Sequence, residues 1–236
     1  MDTHLNMITM VRLILFTCML VVATSCTQDT KSLPELANAR AEDQTANSAN
    51  ILAEEKTLTI EEQLVEIKAE YALISQEMQG EVYTKDSIAY SCEEDVFFGD
   101  ALLYSDAEET RLVIINSVFG DHAGETEYWY LKNGKPFFVL QEMGTWQFGG
   151  PLTVDESGEE VLGTIDKVEQ LRYYIAEGKV IRKLRKAFEI KSWEDSPGAD
   201  EIPNEEVATD GALPASYEVV EQLITSRKIP CEAILE

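Results

Sequence analysis

Residues 128–140, YWYLKNGKPFFVL, decide the fold of this chain. Asn133-Gly134 is a favoured two-residue turn of a β-hairpin, because both central positions need positive φ and these residue types tolerate it. The flanking runs are aromatic and aliphatic, the composition of strands. Counting outward from the turn places Trp129, Leu131, Phe138 and Leu140 on one face, and Tyr128, Tyr130, Phe137 and Val139 on the other. Both faces are apolar, so the hairpin is expected at the centre of a sheet, covered on both sides, with Trp129 and Phe138 paired across the strands. The competing reading leaves an aromatic patch of Tyr128, Tyr130 and Phe137 open to a partner.

The pattern recurs. WYLKNGKPFFVL at 129–140 aligns without gaps to YYIAEGKVIRKL at 173–184. Two copies are too few for a solenoid and read as two hairpins of one meander. A two-residue turn in the second copy puts Leu171, Tyr173, Ile175, Val180 and Leu184 on one face, with Arg172, Lys179, Lys183 and Arg185 on the other. Glu177 suits that turn poorly, which leaves open a type I turn with Gly178 in a bulge and a shifted register.

Before the hairpins, residues 111–119 are rich in β-branched side chains and read as a strand. Ile88, Tyr90 and Cys92 alternate in a first extended run, and residues 97–104 form another. Residues 59–79 change period. Ile60, Leu64, Ile67, Tyr71, Ile74 and Met78 recur every three or four positions, the spacing of an amphipathic helix. Thr59 and Glu62 form a capping-box pattern and Gly80 a stop. After the hairpins, residues 189–214 are acidic, contain three prolines, and read as a long loop. Residues 216–226 read as a short helix with Ser216 as N-cap and an apolar face of Val219, Val220, Leu223 and Ile224. The fold class is therefore α+β: an antiparallel meander of about seven strands, flanked by an N-terminal amphipathic helix and a short C-terminal helix.

The N-terminus carries an address. Arg12 precedes a short apolar run, residues 13–22, followed by Ala23-Thr24-Ser25 and Cys26. This reads as a lipoprotein signal peptide over residues 1–25, with Ala23 where a lipobox usually has leucine. Cys26 would become the lipidated first residue, carrying acyl chains such as palmitate. The acidic start, with Asp2, leaves Met1, Met7 and Met10 as alternative initiators. Residues 26–58 are polar and read as a flexible tether, and residues 59–236 as one domain. The chain has a net charge of −25. Residues 1–25 contribute one Asp and one Arg, so all of that charge belongs to residues 26–236. Such a surface argues against nucleic acid and anionic lipid head groups as partners. In an extracytoplasmic setting Cys92 and Cys231 are candidates for a disulfide, with separate buried thiols as the alternative.

Catalytic signals are sparse. His122 is the one histidine after Cys26, and no zinc spacing, nucleotide loop or nucleophile elbow is present. Residues 155–160, DESGEE, lack the alternating ligands of a calcium loop. No catalytic residue, metal or cofactor is assigned. The sharpest enzymatic reading is a glycan hydrolase using a pair among Glu125, Glu127 and Glu142, with Trp129 and Trp146 stacking on sugar.

On its paired hairpins, YWYLKNGKPFFV and RYYIAEGKVIRKL, the chain resembles uncharacterised envelope lipoproteins of Bacteroidota-type bacteria. The resemblance covers roughly residues 60–190. It implies an envelope address on the periplasmic side or the cell surface, and a helix-plus-sheet domain, and brings no catalytic residue. The leading expectation is a non-catalytic module that binds a protein, glycan or envelope component. The glycan hydrolase and a structural role in envelope assembly are the alternatives.

Overall fold

A computed structural model describes residues 58–92, 96–154 and 157–231. The signal segment, Cys26, the tether up to residue 57, and Asp155 and Glu156 of the acidic turn lie outside them. Among the described residues, eight strands form one antiparallel sheet: β1 (Thr84–Cys92), β2 (Phe97–Ser105), β3 (Thr110–Phe119), β4 (Ala123–Lys132), β5 (Lys135–Val154), β6 (Glu160–Ala176), β7 (Lys179–Lys191) and β8 (Glu205–Val207). Sheet order follows chain order throughout. Helix α1 (Ile60–Gln79) precedes the sheet and α2 (Tyr217–Ser226) follows it. The fold is the α+β meander the sequence implies. The short β8 lies within the acidic stretch read as a loop, where Glu206 pairs with Arg182 at 2.8 Å.

The helices occupy opposite faces. α1 opens on the expected capping box: Thr59 Oγ1 accepts the Glu62 N–H, and Glu62 Oε2 accepts the Thr59 N–H at 2.9 Å. It buries Ile67 and Ile74 against Leu112, Tyr130 and Phe138, and Tyr71 packs edge-on to Phe138 with ring centres 5.2 Å apart. Glu70 clamps the helix to the sheet, taking hydrogen bonds from Arg111 and, at 2.6 Å, from Lys132. Gly80 closes α1 with φ −82°, and Glu81 rather than the glycine takes the left-handed position. On the other face, α2 buries Val219, Val220 and Leu223 against Val113, Trp129, Leu131 and Val139. Ser216 occupies the N-cap position expected of it, but its side chain makes no capping bond. Its backbone is helical, and its hydroxyl donates instead to Glu127.

Both hairpins turn in two residues. Asn133 and Gly134 have φ of 53° and 68°, and Glu177 and Gly178 have 52° and 73°. The type I alternative for the second turn is therefore not adopted. Each hairpin instead carries a β-bulge just beyond its turn. Leu131 faces Pro136 while Tyr130 faces Phe138, leaving Phe137 extra. Ile175 faces Val180 while Tyr174 faces Arg182, leaving Ile181 extra. A bulge inverts the face of every residue after it, so the face lists counted across a regular turn are corrected. Trp129 faces Val139 rather than Phe138, and Phe138 and Leu140 join Tyr128 and Tyr130 beneath α1. In the second hairpin Leu184 moves to the α1 side, and Lys183 and Arg185 lie on the α2 side with Tyr173 and Leu171.

Trp129 is 0% exposed. Trp129→Ala should therefore cost about 3–5 kcal/mol, read as a lowered urea midpoint. Glu177 holds a left-handed conformation that costs an ordinary L-residue about 1–2 kcal/mol but suits asparagine. Glu177→Asn should raise stability in the same assay, by up to about 1 kcal/mol.

Candidate functional site

Both helices sit over the turn-proximal end of the central strands, and the far end extends beyond them. β4 pairs with β5 only as far as Thr145, and β7 with β6 only as far as Ile165. β5 and β6 continue as a two-stranded ribbon to the Val154–Glu160 pair. A break in register between Phe148 and Leu152, with Gly150 at φ 79°, marks the start of the ribbon. Trp193 packs across it: a Cβ on Gly150 or Gly163 would come within 2.5 Å of the indole. Nothing in the spacing of Trp193 announces this contact. The FGGP run at 148–151 was its only sequence signal.

On the α2 side, just past the helix, lies a polar network. Glu127 is 6% exposed. It accepts hydrogen bonds from Trp129 Nε1 at 2.6 Å, Ser216 Oγ at 2.8 Å and Gln141 Nε2 at 3.2 Å. Gln141 also donates to Glu125, and its carbonyl accepts from the Tyr173 hydroxyl at 3.0 Å. Burial raises the proton affinity of Glu127, and the three donors oppose that rise. Glu125 is pushed up to about 7 by burial and by the charge of Glu127, against the opposing bond from Gln141.

Of the three acids proposed for glycan chemistry, the fold brings Glu125 and Glu127 together and sends Glu142 to the other face, where Gln170 donates to it at 2.5 Å. Glu125 and Glu127 are neighbours on one strand face, bridged by one amide, and do not oppose each other across a cleft. Trp129, buried beneath α2, presents no ring to a sugar. The network can store one proton near neutral pH. Among the described residues, no group of three or more His, Cys, Asp or Glu side chains converges on a metal position.

The α1 side of the far end is apolar. His122 lies tilted against Trp146 with ring centres 4.1 Å apart, and Trp146 meets Phe148 edge to face at 5.1 Å. Phe148, Leu152 and Val154 are 60%, 64% and 67% exposed, and Leu162 is also open. The register places all four on this side, with Asp166 directly opposite Trp146. The candidate patch of Tyr128, Tyr130 and Phe137 lies elsewhere. These rings belong to the cluster under α1, with Tyr130 buried and the other two half-buried. The exposed aromatic ring is thus Phe148, with the half-buried Trp146 beside it, some ten residues further along β5 than the hairpin itself. Its alternation was legible in the sequence, but the length of β5 was not. Cys92 and Cys231 are joined by a disulfide, with Cα atoms 5.7 Å apart.

No protein-family model, curated protein or solved structure matches this chain.

The raised affinity of Glu125 has a sign. A carboxyl that binds its proton more tightly when folded contributes stability at low pH and loses it as pH rises from the ordinary carboxylate range towards about 7. Glu125→Gln should flatten that loss. Thermal melts should show a higher midpoint than the parent at pH 8 and near-equal midpoints at pH 4.

Proposed function

We propose that this protein is a lipid-anchored envelope module that acts by binding rather than by catalysis. The observation that carries this reading is the open apolar face of the β5–β6 ribbon. Large side chains left in water on one face of a soluble sheet mark an interaction surface or an aggregation hazard. Here Phe148, Leu152 and Val154 share a face that neither helix covers. The address rests on the sequence: an apolar run of ten residues ahead of Cys26 is too short to span a bilayer, which takes about 20, and it ends in small residues before a cysteine. Acylation at Cys26 would tether the domain, and residues 27–58 would let the ribbon reach a partner near that membrane. Glu127 has a structural explanation in the α2 contact, and Glu125 is tied to it through Gln141, so no catalytic role is needed for the pair.

Two measurements test the proposal. Cys26→Ser should abolish incorporation of labelled fatty acid and release the protein from the membrane fraction. A photocrosslinking residue at position 148 should capture discrete adducts in intact cells, whereas the same residue at exposed position 61 on α1 should not. Persistent membrane retention of the serine variant overturns the anchor, and the absence of adducts from position 148 overturns the binding role.

A further inference from the structure

The ribbon face contains one group that does not belong in an apolar surface. Asp166 is half-buried and faces Trp146 on one side and Ile190 on the other. Along its own strand its neighbours on this face are Thr164 and Val168. No cation and no hydrogen-bond donor is paired with its carboxylate among the described residues, and burial alone raises its proton affinity. Lys167 points to the other side of the sheet, and Lys191 is held by Glu194 at 2.6 Å. Lys186, two rungs further up, is committed to the Ala199 carbonyl at 2.6 Å. An unpaired, partly desolvated carboxylate beside a half-buried indole and an exposed phenyl ring is suited to an ammonium or guanidinium group, which both the charge and the aromatic quadrupoles attract.

We propose that the β5–β6 ribbon docks a basic, aliphatic peptide segment of a partner protein, with a lysine or arginine of that segment seated on Asp166 beside the contacting rings of Trp146 and Phe148. This rests on the binding role proposed above and names the chemistry of the partner. Charge separates it from the alternatives. A second copy brought face to face by a two-fold axis would oppose two chains of net charge −25 through a ribbon face that carries Asp166 and Glu160 and no basic residue. An anionic lipid surface meets the same repulsion. The segment docks on the face rather than adding a strand to the free edge of β5. That edge is broken between Phe148 and Leu152 and carries Pro151, which has no N–H to pair.

The test uses the full chain in detergent and a labelled eight-residue peptide of alternating arginine and valine, with an alternating glutamate–valine peptide as control. Fluorescence anisotropy should show saturable binding of the basic peptide and none of the acidic one. Asp166→Asn and Phe148→Ser should each weaken binding by about fivefold or more, with unchanged melting temperature, while Glu61→Gln on α1 should leave it unaltered. Equal loss on Glu61→Gln and Asp166→Asn would mean that the overall charge attracts the peptide, which overturns the proposal. Absence of binding by the basic peptide overturns it as well. If the chain instead self-associates and Phe148→Ser disperses it, the cationic partner is wrong, while the binding role stands with a second copy as its partner. Loss of crosslinks from position 148 in cells defeats the binding role itself.

Discussion

Trp129 and Tyr130 are consecutive residues of one strand, so they point to opposite faces of the sheet, and neither ring can be left in water cheaply. An aromatic side chain buries about 150–250 Å2, worth roughly 4–6 kcal/mol at 25 cal/mol per Å2. One covering layer can satisfy only one of them. This two-sidedness dictates the rest of the architecture. A meander without crossovers leaves both faces of the sheet free, and the chain covers each with a helix from one end: α1 over Tyr130 and Phe138, α2 over Trp129 and Val139. The ion pairs of Glu70 with Arg111 and Lys132 fix α1 beside the same hairpin, and Glu109 joins them by accepting the N–H of Gly134 in the turn at 2.9 Å. Helix, turn and strand are therefore secured at one end of the sheet.

The far end follows from lengths. β5 has 20 residues, about 66 Å at 3.3 Å per residue. A helix laid across the strands covers a band only about 10 Å wide. α1 touches β3, β4, β5 and β6 near the turns, through Arg111, Lys132, Phe138 and Tyr174, so it lies across the sheet and leaves most of β5 uncovered. The chain treats the two uncovered surfaces differently. On the α2 side it places Glu125, Gln141, Lys167 and Glu169 around the exposed Met143 and Val161, a mixed and mostly polar surface. On the α1 side it places Trp146, Phe148, Leu152 and Leu162. The contrast between two faces of the same strands, equally free of helix, argues that the apolar one has a use.

Local signals were legible where the physics is local. The capping box at Thr59, the Asn133-Gly134 turn and the apolar stripes of both helices are set by residues within a few positions of one another, and each appears where the pattern puts it, except that Ile60 at the start of the α1 stripe is exposed. The bulges were not legible. An extra residue costs little backbone energy and leaves no compositional mark. It lets Phe137 and Phe138 both reach the cluster under α1, and brings Ile181 into the same cluster. The gapless match of the two hairpins did contain a hint, because the same bulge recurs at the equivalent place. Glu177 misled for the opposite reason: the chain tolerates strain in the second turn to keep the geometry of the first. Ser216 stands at the N-cap position, but its hydroxyl has a partner 89 residues away rather than in its own helix, and no local pattern shows that. The Trp193 contact is likewise long in sequence, and only the glycines beneath it gave any sign.

Glu127 completes the argument about α2. A buried carboxylate is a poor way to stabilise a sheet, and a well-packed apolar replacement often does as well or better. Three donors offset its desolvation, and one of them is Ser216, immediately before α2. A ten-residue helix that buries only Val219, Val220 and Leu223 has few packing contacts to oppose sliding by a turn. A single acceptor that must be matched by Ser216, Trp129 and Gln141 removes that freedom, because a slipped helix would leave a buried charge short of a donor. Beyond the helix the chain is fixed again, by Cys231 on Cys92 at the end of β1. Pinned at its start by a hydrogen bond and beyond its end by a covalent one, α2 cannot advance along the strands. The edge between covered and open sheet is therefore a defined boundary on this face.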